Sequence, residues 1–469
     1  MFLARSVVAA AFTAAAAGAG YQTQRDAAQS EQDVMARARA IHGRVITIDT
    51  HNDIDLSNFT PGCNYAMRLT TQVNVPKMKQ GGLDVSFMVV YADQPPTQPS
   101  NAFPPSGYER AYRTALARID AVHLLTDTIA PRDIELALTP ADVVRITTTG
   151  KKVAVIGLES GYPIGTDLRR VKEFWDRGAR YLSLARNGHS QLADSTTGEA
   201  TNQWAWGGLS PLGRQVVEEM NKWGLMVDVS HLSKGAMMQA IGGSKAPVIA
   251  SDAGVRRLAN VSGNLDDEML LAMKSSGGVV QVAAVSGLVK ADPPERIAAI
   301  NALDREFGVA AGPHGARPVA ASAPAGRAGC RIGDASAAFQ VVGPGRGAAA
   351  GANLGSLTLA RRSDYERRIG EIDKKWAAAA RASVKDFVDH IDYAVKLAGI
   401  DHVGIASDFD GGGGVDGWTS AAETFNVTLE LVRRGYNEEQ IGKIWGSNLL
   451  RVWSEVEKVA AQIQAGPTR

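Results

Sequence analysis

Eight short, nearly unbroken apolar runs, rich in β-branched residues, recur along this chain, and most are followed by a stretch with helical spacing. They are VITID (45–49), VSFMVVYA (85–92), VAVIGLE (153–159), YLSLA (181–185), LMVDVS (225–230), PVIAS (247–251), GVVQVAAV (278–285) and HVGIAS (402–407). Such runs suit strands covered on both faces of a parallel sheet, because hydropathy stops alternating when neither face meets water. The stretches between them, such as SPLGRQVVEEMNKWG and LDDEMLLAMKSSGG, place apolar residues at i, i+3 and i+4 and end at glycine. Eight such units predict an α/β fold of the (β/α)8 barrel type, with a doubly wound open sheet as the alternative.

The remaining sequence is organised around that barrel. The first twenty residues carry one early arginine, Arg5, then a small apolar run from Val7 to about Ala19, which is the layout of a secretory signal peptide over residues 1–22. No other stretch is apolar enough over ~18 residues to span a bilayer, so the mature chain, 23–469, is expected to be one exported domain, periplasmic or extracellular, with membrane association left open. Between the seventh and eighth runs, DPPERIAAINALDREFG and ARRSDYERRIGEIDKKWAAAARA read as a helical insertion. The Gly/Ala/Pro-rich segment 309–356 between them lacks large apolar residues and reads as a loose tip. Lys+Arg 50 against Asp+Glu 49 leaves a formal charge of +1, which gives no reason to expect a nucleic-acid partner. The only cysteines, Cys63 and Cys330, exclude a thiolate-built zinc site; a bridge across so long a separation is open but not favoured.

Barrel enzymes build their sites at the C-terminal ends of the strands. Here the first run leads into His51-Asn52-Asp53, the third into Glu159, the fifth into His231, the sixth into Asp252 and the eighth into Asp408. The i, i+2 spacing of His51 and Asp53 places both side chains on one side of an extended backbone. Imidazole and carboxylate together suit zinc or a similar divalent ion. Taken singly, Asp49 reads as no more than a helix cap. His42, His123, His314, His390 and His402 read as surface or packing residues. His189, just past the fourth run, is placed to face the site.

These residues in this order resemble the membrane (renal) dipeptidase family, zinc peptidases on an amidohydrolase-like (β/α)8 barrel. The likeness runs from about Gly43 to Lys458 and rests on IDTHNDI, GLESGYPIG, YLSLARNGHSQLADS, GLMVDVSHLS, PVIASDAGVRRLANVSGNLDDE, DHVGIASDFDG and SNLLRVW. It implies two divalent metal ions, zinc or alternatively manganese. His51, Asp53 and Glu159 would hold one, with Glu159 bridging to a second that His231 also binds. A water between them would attack the peptide carbonyl, with Asp408 as the proton carrier. It further implies an exported dipeptidase that tolerates a C-terminal D-residue and can form a homodimer.

Three positions depart from that family's pattern. Asp252 stands where a second histidine would complete the second metal site, Arg186 where the fourth strand delivers a substrate-binding histidine, and Gly263 where an arginine grips the substrate carboxylate. Asp252 can still ligate, at a cost in Lewis acidity. Arg186 either takes over the substrate grip or pairs with Asp252 and blocks the second metal; His189 is a candidate for the missing imidazole. Three readings therefore stand: a metal-dependent dipeptidase, a catalytically impaired peptide-binding relative, and an amidohydrolase acting on another amide or a lactone.

Overall fold

In the computed structural model, which describes residues 30–92, 105–200, 202–308 and 357–466, eight parallel strands follow one another round a barrel. They are β1 (Ile48–Asp53), β2 (Val85–Tyr91), β3 (Lys152–Glu159), β4 (Ala179–Ser183), β5 (Met226–Asp228), β6 (Ile249–Ala253), β7 (Val279–Ala283) and β8 (Val403–Ala406). Each pairs in parallel with the next in chain order. β8 returns to β1, where Asn52 bridges Phe409 and the Asp53 N–H donates to the Phe409 carbonyl at 2.9 Å. That closure distinguishes the fold from an open doubly wound sheet.

The strands are buried along nearly their whole length, as their apolar composition requires. At the N-terminal end of the barrel, Ile48, Val85, Val153, Met226, Ile249 and Val279 form a cluster with Leu449, Val452, Trp453 and Val456 of the helix Asn448–Ala465. This helix floors the barrel, leaving the opposite end to carry the chemistry. The outer helices start where the sequence supplies caps. Ser210 accepts from the Gly213 N–H ahead of Pro211–Trp223, and Ser383 forms a capping box with Asp386 ahead of Val384–Ala398.

The expected helical insertion lies between β7 and β8. Helices Pro294–Phe307 and Leu359–Lys375 pack through Ile300, Leu303, Phe307, Tyr365 and Ile369, and the Tyr365 hydroxyl donates to Asp304 at 2.6 Å. The segment 309–356 and the signal-like segment 1–22 lie outside the described residues. Cys63, on a short hairpin strand Cys63–Asn64, is disulfide-bonded; Cys330, the chain's only other cysteine, is outside the described residues.

Strand ends also shift from expectation. β1 runs to Asp53 rather than stopping at Asp49, and β6 runs to Ala253 rather than 251. Hydropathy falls away before pairing does, because Asn52 and Asp53 are still in register with Met88 and Val89 of β2. A small strand, Ile134–Leu136, adds beside the start of β3 and was too short to stand out by pattern.

Candidate metal centre

The polar residues that end β1 are held by a buried network. Asp49 accepts hydrogen bonds from the Asn52 side-chain amide at 2.8 Å, the Ser407 N–H at 2.8 Å and the His51 N–H at 3.3 Å. Asp49 is therefore not a helix cap: it ties β1 to β8 directly beneath His51. Asp228 does the same between β5 and β6. It accepts from the Ser230 N–H at 3.0 Å, the Ser251 N–H at 2.9 Å, the Ser251 hydroxyl at 2.7 Å and the Ser183 hydroxyl. Ser230 and Ser251 are the residues just before His231 and Asp252, so one fully buried carboxylate sets the position of both.

With the strand ends fixed, five predicted side chains converge in two groups that share Glu159: His51, Asp53 and Glu159 form one, and Glu159, His231 and Asp252 the other. All five are buried. Donor atoms ~2.1 Å from one ion stand roughly 3.0–3.4 Å apart. In the second group His231 Nε2 lies 2.8 Å from Glu159 Oε1 and 3.3 Å from Asp252 Oδ1, close to that spacing. In the first, His51 Nε2 lies 3.9 Å from Asp53 Oδ1 and 3.8 Å from Glu159 Oε2, which is wider. Asp53 Oδ1 is buried without a hydrogen-bond partner, a costly arrangement that a cation would relieve. Both groups thus fit a divalent ion by donor type, and the second fits better by spacing.

Electrostatics point the same way. Burial opposes charge on His51, yet Asp252, Glu159, Asp408 and Asp53 outweigh it and lift its pKa to about 9. His231 is raised well above the ordinary range against burial, chiefly by Asp252 and Glu159. Burial resists ionisation of Glu159, but Arg186, His231 and His51 hold it far below the usual carboxylate range. Imidazoles that hold protons so firmly mark an excess of carboxylate, the condition that favours a multivalent cation.

Asp408 completes the cluster, with Oδ1 3.8 Å from His51 Nε2. Burial, reinforced by Asp53, Asp252 and Glu159, drives its pKa well up despite His51. His231 (φ 62°), Asp408 (φ 55°), Ser160 (φ 101°) and Asp410 (φ 63°) all have positive φ without being glycine. Strain of this kind persists where surrounding structure enforces it, and here it gathers on the loops that leave β3, β5 and β8.

Arg186 reaches the same cluster from the loop after β4. Its Nε contacts Glu159 Oε2 and its Nη2 lies 3.8 Å from Asp53 Oδ2. It pairs with the first group and not with Asp252, so of the two alternatives for Arg186 the Asp252 pair is set aside: Asp252 lies against His231 instead. Tyr91, the last residue of β2, carries the Arg186 guanidinium 4.9 Å from its ring centroid and that of Arg118 at 3.7 Å. His189 is not brought to the cluster. The Ser195 N–H donates to its Nδ1 at 3.0 Å, which leaves Nε2 to donate to the Gln203 carbonyl at 2.9 Å, so the ring braces its own loop. Gly263 has φ 96°.

Gly411 is a site residue that pattern reading missed. A Cβ there would lie 2.3 Å from Asp408 Oδ1 and 3.0 Å from Asp53 Oδ2. The signal was the glycine run that directly follows Asp410. Tyr91, Asp49 and Asp228 were also missed, each hidden within an apolar run.

A profile described as membrane dipeptidase (peptidase family M19) matches residues 35–467. The chain belongs to this family. Among curated relatives of the dipeptidase family, it is 26% identical to Dipeptidase tcpJ of Claviceps purpurea (strain 20.1) over 394 residues, 84% of this chain and 71% of that one. It is 25% identical to Dipeptidase 3 of Rattus norvegicus over 409 residues, 87% of this chain and 61% of that one. Among solved structures, the probable dipeptidase PvdM from Pseudomonas aeruginosa superposes with a TM-score of 0.72 at 30% identity, covering 92% of this chain and all of that one. A metallopeptidase from Rhodobacter sphaeroides, liganded with a phosphinate mimic of L-Ala-D-Ala, shares the fold with a TM-score of 0.60 at 19% identity.

Proposed function

We propose that the chain is an exported metal-dependent dipeptidase that hydrolyses dipeptides, including those with a C-terminal D-residue. The observation that carries this reading is the convergence of His51, Asp53, Glu159, His231 and Asp252, with Asp408 beside them, at one mouth of the closed barrel. Glu159, His231 and Asp252 would hold one divalent ion, and His51, Asp53 and Glu159 a second. Such an ion supplies Lewis acidity at a carbonyl oxygen and makes water more acidic. Two carboxylates and one imidazole in the better-spaced group are a harder donor set than a histidine-rich one, which brings manganese into range beside zinc.

Asp408 is the proton carrier. As a carboxylate it accepts a proton from the attacking water. The carboxylic acid so formed then gives that proton to the leaving amine. Asp49 and Asp228 hold the strand ends in register so that these side chains meet. Export is supported by the signal-like N-terminal run and by the disulfide at Cys63, which suits an oxidising compartment. No helix among the described residues is long and apolar enough to cross a membrane.

The contact of Arg186 with Glu159, together with Gly263, favours a second reading, a relative that binds dipeptides without turning them over. Protein purified from the exported fraction and supplied with zinc or manganese, assayed on L-Ala-D-Ala, separates the two. Turnover abolished in Asp408→Asn supports the dipeptidase. Saturable binding without turnover under both metals overturns it in favour of the binding protein.

A further inference from the structure

The two groups of ligands are not equivalent, and the difference lies in Arg186. Its guanidinium contacts Glu159 through the oxygen that faces the first group, Oε2, whereas Oε1 faces His231. It also lies beside Asp53, the first group's other carboxylate. The side chain is largely buried, and the Tyr91 ring that carries it is backed by Arg118, whose Nη1 donates to the Ile54 carbonyl at 3.1 Å. A guanidinium keeps its charge at any pH a protein survives, so it cannot give way by losing a proton as an imidazole or amine can. The first group is also the wider one, at 3.8 and 3.9 Å against 2.8 and 3.3 Å in the second.

We propose that Arg186 competes with a metal ion for the carboxylates of Asp53 and Glu159, so that this chain holds one divalent ion tightly, at Glu159, His231 and Asp252, and a second only weakly at His51, Asp53 and Glu159. This deepens the metal-dependent reading above and rests on it. The competitor is part of the chain, so its effective concentration is fixed and high. An ion entering the first group must displace the arginine and then lie close to its charge. Arg186 thereby sets the metal stoichiometry, a role distinct from gripping substrate.

The test is metal content, read without any activity. Wild type, Arg186→Ala and Arg186→Lys are stripped of metal, equilibrated with zinc, dialysed and measured by elemental mass spectrometry, with calorimetric zinc titration of the apoproteins. Wild type is expected to retain one zinc per chain, with a second binding step at least tenfold weaker. Arg186→Ala is expected to retain two, its second step tightened tenfold or more. Arg186→Lys, which keeps a cation but loses the planar fork, should fall between them. Two tightly held zinc ions in wild type overturn the proposal while leaving the metalloenzyme intact, and this arm holds even if a variant fails to fold. A single ion in a folded Arg186→Ala, with its second step unmoved, also overturns it. Zinc in none of the three sinks the metal-dependent reading itself.

Discussion

Replacing Gly411 by alanine isolates the positioning of Asp408 from the stability of the barrel. The new methyl carbon would lie 2.3 Å from Asp408 Oδ1 and 3.0 Å from Asp53 Oδ2. Ordinary contact begins near 3.4 Å, so the Asp408 carboxylate must retreat by about 1 Å. The backbone of Gly411 is outside the left-handed region, so alanine adds no conformational strain there. The atoms that must move are the tips of side chains, so stability should fall by no more than about 1 kcal/mol. A displacement of ~1 Å in a proton-transferring group costs on the order of 10²-fold in rate. The matched control is Gly413→Ala, whose methyl would meet the Ser407 carbonyl oxygen at 1.8 Å and the Asp408 carbonyl carbon at 2.7 Å, both backbone atoms. That variant should lose folding before it loses anything else. The assay is kcat/KM on L-Ala-D-Ala beside thermal melting and metal content. Wild-type kcat/KM in a well-folded Gly411→Ala would refute the reasoning, as would equal losses of Tm in the two alanine variants.

Three other substitutions probe separate parts of the site. Asp408→Asn should lower kcat by about 10²-fold or more with metal content unchanged, since it removes the proposed proton carrier and no member of either candidate ligand group; retained turnover would remove Asp408 from that role. Asp228→Ala strands two backbone N–H groups and two hydroxyls in a buried setting and should cost about 3 kcal/mol or more by chemical denaturation; a loss under 1 kcal/mol would show that the strand ends are set elsewhere. Burial raises Asp410 to about 7, against the opposing hydrogen bonds from the Gln72 and Val73 N–H groups. A carboxyl with a raised folded pKa binds more protons folded than unfolded between about pH 4 and 7, so its presence makes stability fall as pH rises through that window. Asp410→Asn should therefore gain in Tm relative to wild type across it, with the difference levelling off above; a pH-independent difference would show that Asp410 does not titrate there.

The barrel was legible because eight runs buried on both faces must be apolar throughout, and the residues that converge at its mouth because each interrupts or ends such a run. What stayed hidden depends on direction rather than order. His189 follows β4 by six residues, yet its ring turns back to brace Ser195 and Gln203. Nothing in the spacing of Arg186 shows that it would choose Glu159 and Asp53 over Asp252. Asp49 and Asp228 look like stray polar residues inside strands until their partners on neighbouring strands are known. Gly263 carries a lesson for engineering: at φ 96°, an arginine introduced there would meet backbone strain of about 1–3 kcal/mol, so the substitution would not by itself place a guanidinium over the site.

The helix Asn448–Ala465 that floors the barrel has a consequence for how the molecule is made. Its Trp453 packs with Phe87 of β2, and its apolar face meets the first residues of several strands, of which the earliest, β1, begins at Ile48, far ahead of Asn448 in the chain. Synthesis adds roughly 5–20 residues each second, so the earliest strands wait many seconds for the element that seals them. Throughout that wait the apolar strand starts lack their cover. Under the proposed export, a secretion machine that takes unfolded chains is handed a substrate whose own order of synthesis delays the sealing of its barrel until this helix has been made.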